Sequence, residues 1–190
     1  MHLKLYLCIS QLEISEVIID NKEFTPYIDK KAVAEAVQKL SDKINKEYHG
    51  KSIFFLGVLN GAFMFCADLM KEIKVECEIS FIKVASYKGT STTGSVHELI
   101  GLVSDLKNKH VIILEDIVDT GLTLDKVYSM IDHDHPASLE VAALLYKPSK
   151  FEGNHPPKYV GIEIPDEFVI GYGLDYDGKG RNIPEIYKLK

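Results

Sequence analysis

VIILEDIVDTGLTL, residues 111–124, joins an apolar run to an acidic pair and then to a Gly-Thr turn. Val111, Ile112, Ile113 and Leu114 are too few for a helix and suit a parallel strand buried on both faces. Glu115 and Asp116 follow at once, and two carboxylates at the carboxyl end of a buried strand are costly to desolvate unless a cation or hydrogen-bond donor meets them. That end of an open α/β sheet is also where ligands bind. Beyond Asp119-Thr120-Gly121-Leu122-Thr123, the residues Leu124, Val127, Met130 and Ile131 recur at helical spacing, so the polar segment is a strand-to-helix turn. Such a turn aims free backbone N–H groups at one point, and the helix dipole favours an anion there. Gly121 permits close backbone approach, Thr120 and Thr123 add hydroxyl donors, and the upstream carboxylates can hold Mg²⁺ or sugar hydroxyls. Taken alone, Asp119 or Thr120 also fits an ordinary helix N-cap. Three acids, two threonines and a glycine at one strand end favour phosphate for the run as a whole.

The flanking chain supplies further units of the same kind. Ile53 to Leu59 is a strong buried strand that runs through Asn60-Gly61 into a helical stretch, Ala62 to Met70. This second strand-to-helix turn has two readings, another anion site or a glycine needed only for the bend. Upstream, Val17 to Asp20 reads as a short edge strand and Thr25-Pro26 as a turn. Asp29 can cap a helix that places Val33, Val37, Leu40 and Ile44 on one face and stops near Gly50. Glu76 to Tyr87 reads as a strand, and Lys88 to Ser95 offers nothing to bury. Val96 to Leu106 then returns toward the central strand, which makes the loop the tip of a long hairpin, either a surface tip or a lid. His133-Asp134-His135-Pro136 reads as a solvated turn, and no histidine shows metal-ligand spacing. Leu139 to Tyr146 is another buried strand, ending in Lys147-Pro148. Tyr159 to Ile164 and Phe168 to Tyr172 are short strands separated by Pro165-Asp166-Glu167, and a Gly-rich turn follows.

With 190 residues, 46% hydrophobic and 26% charged, the chain fits one domain with its own core. A net charge of −6 argues against a broad nucleic-acid or anionic-membrane footprint, so neither partner is expected. Cys8, Cys66 and Cys77 are odd in number and lack C-x-x-C spacing, which suits a reducing cytoplasm and no structural zinc. The opening MHLKLYLCISQLEI is not read as a signal peptide, because Gln11 and Glu13 cut the apolar run short and no small-residue cleavage site follows.

The run ILEDIVDTGLTL resembles the phosphoribosyl-pyrophosphate (PRPP) binding motif of type I phosphoribosyltransferases, and is most similar to that of the hypoxanthine(-guanine) branch. The resemblance implies that Glu115 and Asp116 contact the ribose hydroxyls and Mg²⁺ with its water, and that Asp119, Thr120, Gly121, Leu122 and Thr123 cradle the 5′-phosphate. Asp119 matches the family's proposed general base. Leu59-Asn60-Gly61 lies where the family has a Leu-Lys-Gly turn that binds pyrophosphate, and Asn60 brings no charge to it. Ser86-Tyr87 resembles the opening of the family's flexible catalytic loop, which favours the lid reading for residues 86–96. Lys147 matches the lysine that donates to the purine 6-oxygen, Phe168 the stacking ring, and Val169 main-chain contacts to the base edge. Asp175 matches a metal ligand and Arg181 a pyrophosphate contact. The similarity runs from about Ile53 to Arg181.

The expected architecture is therefore α/β: a central parallel sheet flanked by helices, its core about residues 30–150, with a small hood from the N-terminal segment and residues 151–190. The implied reaction moves phosphoribose from PRPP to N9 of a 6-oxopurine, with Mg²⁺ as cofactor and a homodimer or homotetramer as the working form. Two alternatives stay open on sequence alone. One is a PRPP- or nucleotide-sensing regulator of the same fold that binds RNA, which needs a basic groove; the other is a transferase preferring xanthine, guanine or a pyrimidine.

Overall fold

The computed structural model describes residues 16–84, 98–100 and 105–190. In chain order the elements are β1 (Val17–Ile19), β2 (Lys22–Ile28), α1 (Lys30–Glu47), β3 (Ile53–Leu59), α2 (Phe63–Glu72), β4 (Cys77–Val84) and β5 (Glu98–Ile100). There follow β6 (His110–Val118), α3 (Leu122–Ile131), β7 (Ser138–Tyr146), β8 (Tyr159–Glu163), β9 (Val169–Ile170) and β10 (Ile186–Leu189). They build a six-stranded sheet in the order β5-β4-β3-β6-β7-β8 and a four-stranded sheet in the order β1-β2-β10-β9. In the larger sheet β4, β3, β6, β7 and β8 are parallel and β5 is antiparallel to β4.

Alternation along the central strands assigns the two faces. Ile53 and Phe55 of β3 pack with Val37, Leu40, Phe65 and Leu69 of α1 and α2. Phe54, Leu56 and Val58 pack with Leu124, Val127 and Ile131 of α3 on the opposite face. Both faces are thus covered, which is why these strands read as unbroken apolar runs. The first helix follows from its stripe and its cap: Ala32 N donates to Asp29 Oδ1 at 2.7 Å, and Val33, Val37, Leu40 and Ile44 are buried. Each such side chain contributes roughly 1.5–3 kcal/mol of burial. Gly50, at φ +75, then turns the chain toward β3.

Strand order places the crevice. β3 and β6 are neighbours, yet β3 leads on to β4 on one side and β6 to β7 on the other. The β3–β6 ladder ends at Gly57↔Leu114, whereas β6 stays paired with β7 as far as Val118↔Tyr146. Past Leu114, β6 has lost one neighbour, and a cleft opens at the point where the strand order reverses. The smaller sheet has its own core of Ile19, Phe24, Ile170 and Tyr187. It is tied to the larger unit by the Tyr172 hydroxyl, which donates to Asp68 Oδ2 of α2 at 2.7 Å.

Several expectations are corrected. The strand of Val111–Leu114 continues through Glu115 and Asp116 to Val118, because pairing with β7 persists. Thr25-Pro26 is no turn but lies within β2; Pro26 is tolerated there because β1 pairs only as far as Phe24 and β10 is irregular beside it. Tyr159–Glu163, expected in the hood, extends the large sheet beside β7. Phe168 to Tyr172 shortens to Val169–Ile170, since Gly171, Tyr172 and Gly173 all have positive φ. β10 was not foreseen. The antiparallel pairing of β5 with β4 agrees with a hairpin, but its tip, with Ser86 and Tyr87, lies outside the described residues. Among the described residues no helix is long and apolar enough to cross a membrane.

Candidate functional site

The cleft between β3 and β6 contains a cavity of about 310 Å³ lined by Gly61, Glu115, Asp116, Asp119, Thr120, Gly121 and Thr123, together with Val58, Leu59, Val84 and other neighbours. Two strand-to-helix turns, residues 59–62 and 119–122, therefore open into one space. Asp125 N donates to Gly121 O at 3.0 Å, so Gly121 is the residue that leads into α3 and the N–H groups of the first turn are not consumed within the helix. Leu122 faces outward at 72% exposure, and its N–H donates to Thr120 Oγ1 at 3.4 Å. Asp119 is thus not the helix cap.

The carboxylates sit where their negative charge is uncomfortable. Glu115 is 5% exposed, and burial, then the charge of Asp116, pushes its carboxyl well above the usual range. Burial likewise pushes Asp116 up to about 6, with backbone hydrogen bonds and the charge of Arg181 opposing and Asp175 adding to the rise. The same potential is felt by Cys66, whose thiol is pushed up to about 12 by burial first and by Glu115 and Asp116 next. Gly61 packs directly on the Asp116 carboxylate, where a Cβ would collide, and Gly173 packs on the carbonyl of Gly61. Glycine is required at both for this close approach.

Arg181 holds the far side. Its guanidinium pairs with Asp175 Oδ1 at 2.7 Å and donates to Gly173 O at 2.6 Å, while Gly178 N donates to Asp175 Oδ2 at 2.6 Å. Among the described residues no three His, Cys, Asp or Glu side chains gather closely enough to hold an ion by themselves. Glu115, Asp116 and Asp175 are nonetheless hard oxygen donors: Glu115 and Asp116 are buried carboxylates whose charge is relieved only in part, while the two oxygens of Asp175 are engaged by Arg181 and Gly178 N. This suits Mg²⁺ taking its remaining ligands from phosphate oxygens and water.

Lys147 closes the other end. It is 4% exposed, its N–H donates to Val118 O, and its Nζ lies 3.1 Å from Asp119 Oδ2 and 3.1 Å from Asp166 Oδ1. The other Asp119 oxygen, Oδ1, is buried with no hydrogen-bond partner among the described residues. Phe168 is 46% exposed, resting against Phe24 and Tyr176 at ring-centroid distances of 6.4 and 5.8 Å. A ring packed on one side and open on the other suits stacking. Val169 is buried in β9, and Asn60 is exposed and does not line the cavity.

Sequence reasoning missed three supports. Lys150 and Asp166 join Lys147 and Asp119 in one set of ion pairs. Phe151 and Gly153 pack behind the Asp119–Thr123 turn, where a Cβ on Gly121 would meet Phe151 Cε2 at 2.5 Å and Gly153 Cα at 3.0 Å. Asn154 ties that segment to α3 through Asp125 at 3.0 Å. The only signal was Lys147-Pro148-Ser149-Lys150, two cations bent back by a proline.

The family model described as the phosphoribosyl transferase domain matches residues 25–177. The chain is 43% identical over 166 residues to the hypoxanthine phosphoribosyltransferase of Haemophilus influenzae, covering 85% of this chain and 93% of that one. It is 43% identical over 154 residues to the hypoxanthine-guanine phosphoribosyltransferase of Staphylococcus aureus, with 80% and 86% covered. A crystal structure of a hypoxanthine phosphoribosyltransferase from Staphylococcus aureus superposes with a TM-score of 0.81 at 40% identity, covering 87% of this chain and 90% of that one.

Proposed function

The chain belongs to the phosphoribosyltransferase family, and from that premise we propose that it moves phosphoribose from PRPP to N9 of hypoxanthine, and of guanine, in purine salvage. The products are IMP or GMP and pyrophosphate. The observation that carries this reading is the single cavity at the β3/β6 divergence, lined at once by the Glu115-Asp116 pair and by the Asp119–Thr123 turn. Carboxylates beside an N-terminal helix turn match a sugar hydroxyl pair next to its phosphate.

In the reaction the bond from C1 of the ribose to pyrophosphate breaks and a bond from C1 to N9 forms. Backbone N–H groups of residues 120–123 and the Thr120 and Thr123 hydroxyls receive the 5′-phosphate. Glu115 and Asp116 orient the ribose, the backbone at Gly61 and the Arg181 guanidinium meet pyrophosphate, and Asn60 adds no charge there. Lys147 donates to the 6-oxygen of the base, Phe168 stacks on it, and the main chain at Val169 borders its edge. Asp119 accepts the proton that the ring sheds at N7 as positive charge develops on the sugar. Glu115, Asp116 and Asp175 would hold Mg²⁺, which when bound neutralises the leaving pyrophosphate. The working form is a cytoplasmic homodimer or homotetramer.

The test is PRPP-dependent pyrophosphate release with hypoxanthine, guanine, xanthine, adenine and uracil. Release with hypoxanthine and guanine is expected. PRPP binding without release from any base would return the chain to the sensing alternative, and a preference for xanthine or uracil would overturn the base assignment.

A further inference from the structure

Two lysines and two aspartates form a closed set of ion pairs at the base end of the site. Lys147 Nζ lies 3.1 Å from Asp119 Oδ2 and 3.1 Å from Asp166 Oδ1, and Lys150 Nζ lies 3.3 and 3.1 Å from the same two oxygens. Three segments meet here: the phosphate turn through Asp119, the chain after β7 through both lysines, and the bend between β8 and β9 through Asp166. Asp166 stands two residues before Phe168, on the segment that carries the stacking ring.

A lysine alone is a poor ruler. Its ammonium is a point charge on a four-carbon stem with many rotamers and three equivalent donors. The Lys147 side chain is 5% exposed, so its ammonium must be paired within the protein. Two carboxylate oxygens from two different segments take two of its N–H groups and leave the third for an acceptor brought by a ligand. Lys150, 40% exposed, pulls on the same two oxygens from the solvent side. Neither aspartate can then follow Lys147 into another rotamer without leaving Lys150. The four charges sum to zero, which suits a neutral base.

We propose that Asp166 and Lys150 are positioning residues that set base specificity: with Asp119 they fix the Lys147 ammonium against the Phe168 segment and aim it at a carbonyl acceptor. An amino group at the same place would meet a donor that cannot retreat. The inference rests on the assignment of Lys147 and Phe168 to base recognition.

The experiment measures kcat and KM of the full chain for hypoxanthine, adenine and PRPP in Lys147→Met, Asp166→Asn, Asp166→Glu, Lys150→Met and the double variant Lys147→Met/Asp166→Asn. Asp166→Asn should raise the hypoxanthine KM about 5- to 20-fold, the effect of losing one charge-assisted hydrogen bond. The PRPP KM should stay within about twofold, and the preference for hypoxanthine over adenine should narrow. Lys150→Met should act in the same direction, and Asp166→Glu should recover part of the loss. Adding Asp166→Asn to Lys147→Met should cost nothing further, since Asp166 acts only through Lys147. An equal loss in both backgrounds, or a PRPP KM that rises alongside, would reduce Asp166 to a structural role and overturn the inference while Lys147 keeps its assignment. A Lys147→Met variant that keeps the wild-type hypoxanthine KM would overturn the base assignment itself, and this inference with it. Asp166 and Lys150 are both well exposed, so either variant alone can read the ion-pair set if the other folds poorly.

Discussion

Asp119 has one carboxylate oxygen shared by two ammonium groups and the other buried without a partner. A helix cap would spend its oxygen on a backbone N–H; Asp119 lines the cavity and keeps this buried oxygen as an acceptor with no donor among the described residues. If that acceptor takes the N7 proton, Asp119→Asn should lower kcat by about 10²–10⁴-fold, the usual worth of a positioned general base. The PRPP KM should change little, because an amide keeps the shape of the turn, while the hypoxanthine KM should rise as Lys147 loses a charged partner. Steady-state kinetics decide it: wild-type kcat, or a loss confined to PRPP, would leave Asp119 as a phosphate-turn residue. Asn60 gives a second reading at this scale. Asn60→Lys should strengthen product inhibition by pyrophosphate and make it more salt-sensitive, since it adds a charge beside an anion turn. Inhibition constants unchanged at low and high salt would place position 60 away from pyrophosphate.

The turn of residues 119–123, to which the 5′-phosphate is assigned by proposal, depends on the segment behind it as much as on its own residues. Glu152 N donates to Thr120 O at 3.0 Å, and Gly121, at φ +89, leaves no room for a Cβ against Phe151. Gly121→Ala should therefore cost about 1–3 kcal/mol of stability, the scale of a strained positive φ, and raise the PRPP KM more than the hypoxanthine KM. Urea melts and the KM split check this together; an unchanged PRPP KM would separate the turn from the 5′-phosphate. Much of this element level was legible in the sequence. β3, β6 and β7 were readable because burial on both faces writes unbroken apolar runs, and α1 because its stripe and its Asp29 cap agree. What escaped has physical causes. The end of β6 was misjudged because its acids stay in the strand by pairing with β7 after β3 has diverged, which is a property of strand order and not of local pattern. β2 hid behind Pro26, whose tolerance depends on which partners β1 and β10 supply. Of the candidate site, Glu115, Asp116 and Asp119–Thr123 were legible together because they lie on one continuous motif, and Lys147, Phe168, Val169, Asp175 and Arg181 were named only through the family resemblance; Lys150, Phe151, Gly153 and Asp166 escaped because they act through contacts between segments that no spacing records.

Asp116 connects the two sheets electrostatically: it lies on the central strand, touches Gly61, and feels Arg181 and Asp175 of the segment between β9 and β10. Its effect is therefore a property of the whole folded molecule. The carboxyl rises from 3.8 to about 6 on folding, chiefly through burial. A group with a raised folded pKa is protonated more readily in the folded state. Its contribution is complete below about pH 4 and is lost as pH climbs through 6, a change of about 3 kcal/mol. Glu47 and Asp166 run the other way, their pKa values lowered chiefly by hydrogen bonds from Lys158 and from Lys150 respectively, so raw stability curves mix opposite signs. The difference between wild type and Asp116→Asn cancels the distant groups and leaves Asp116 together with the neighbour its charge perturbs, Glu115. Without ligand, the Asn variant should gain on wild type as pH rises from 4 to 7, by about 2–3 kcal/mol at the plateau. Mg²⁺ with PRPP should close or reverse that gap, because bound cation relieves the ionised carboxylate in wild type and finds a weaker ligand in the variant. Denaturant melts across this pH range, with and without Mg²⁺ and PRPP, read both effects. A pH-independent difference would mean that Asp116 is not strained by burial, and a gap untouched by Mg²⁺ and PRPP would remove it from the cation site.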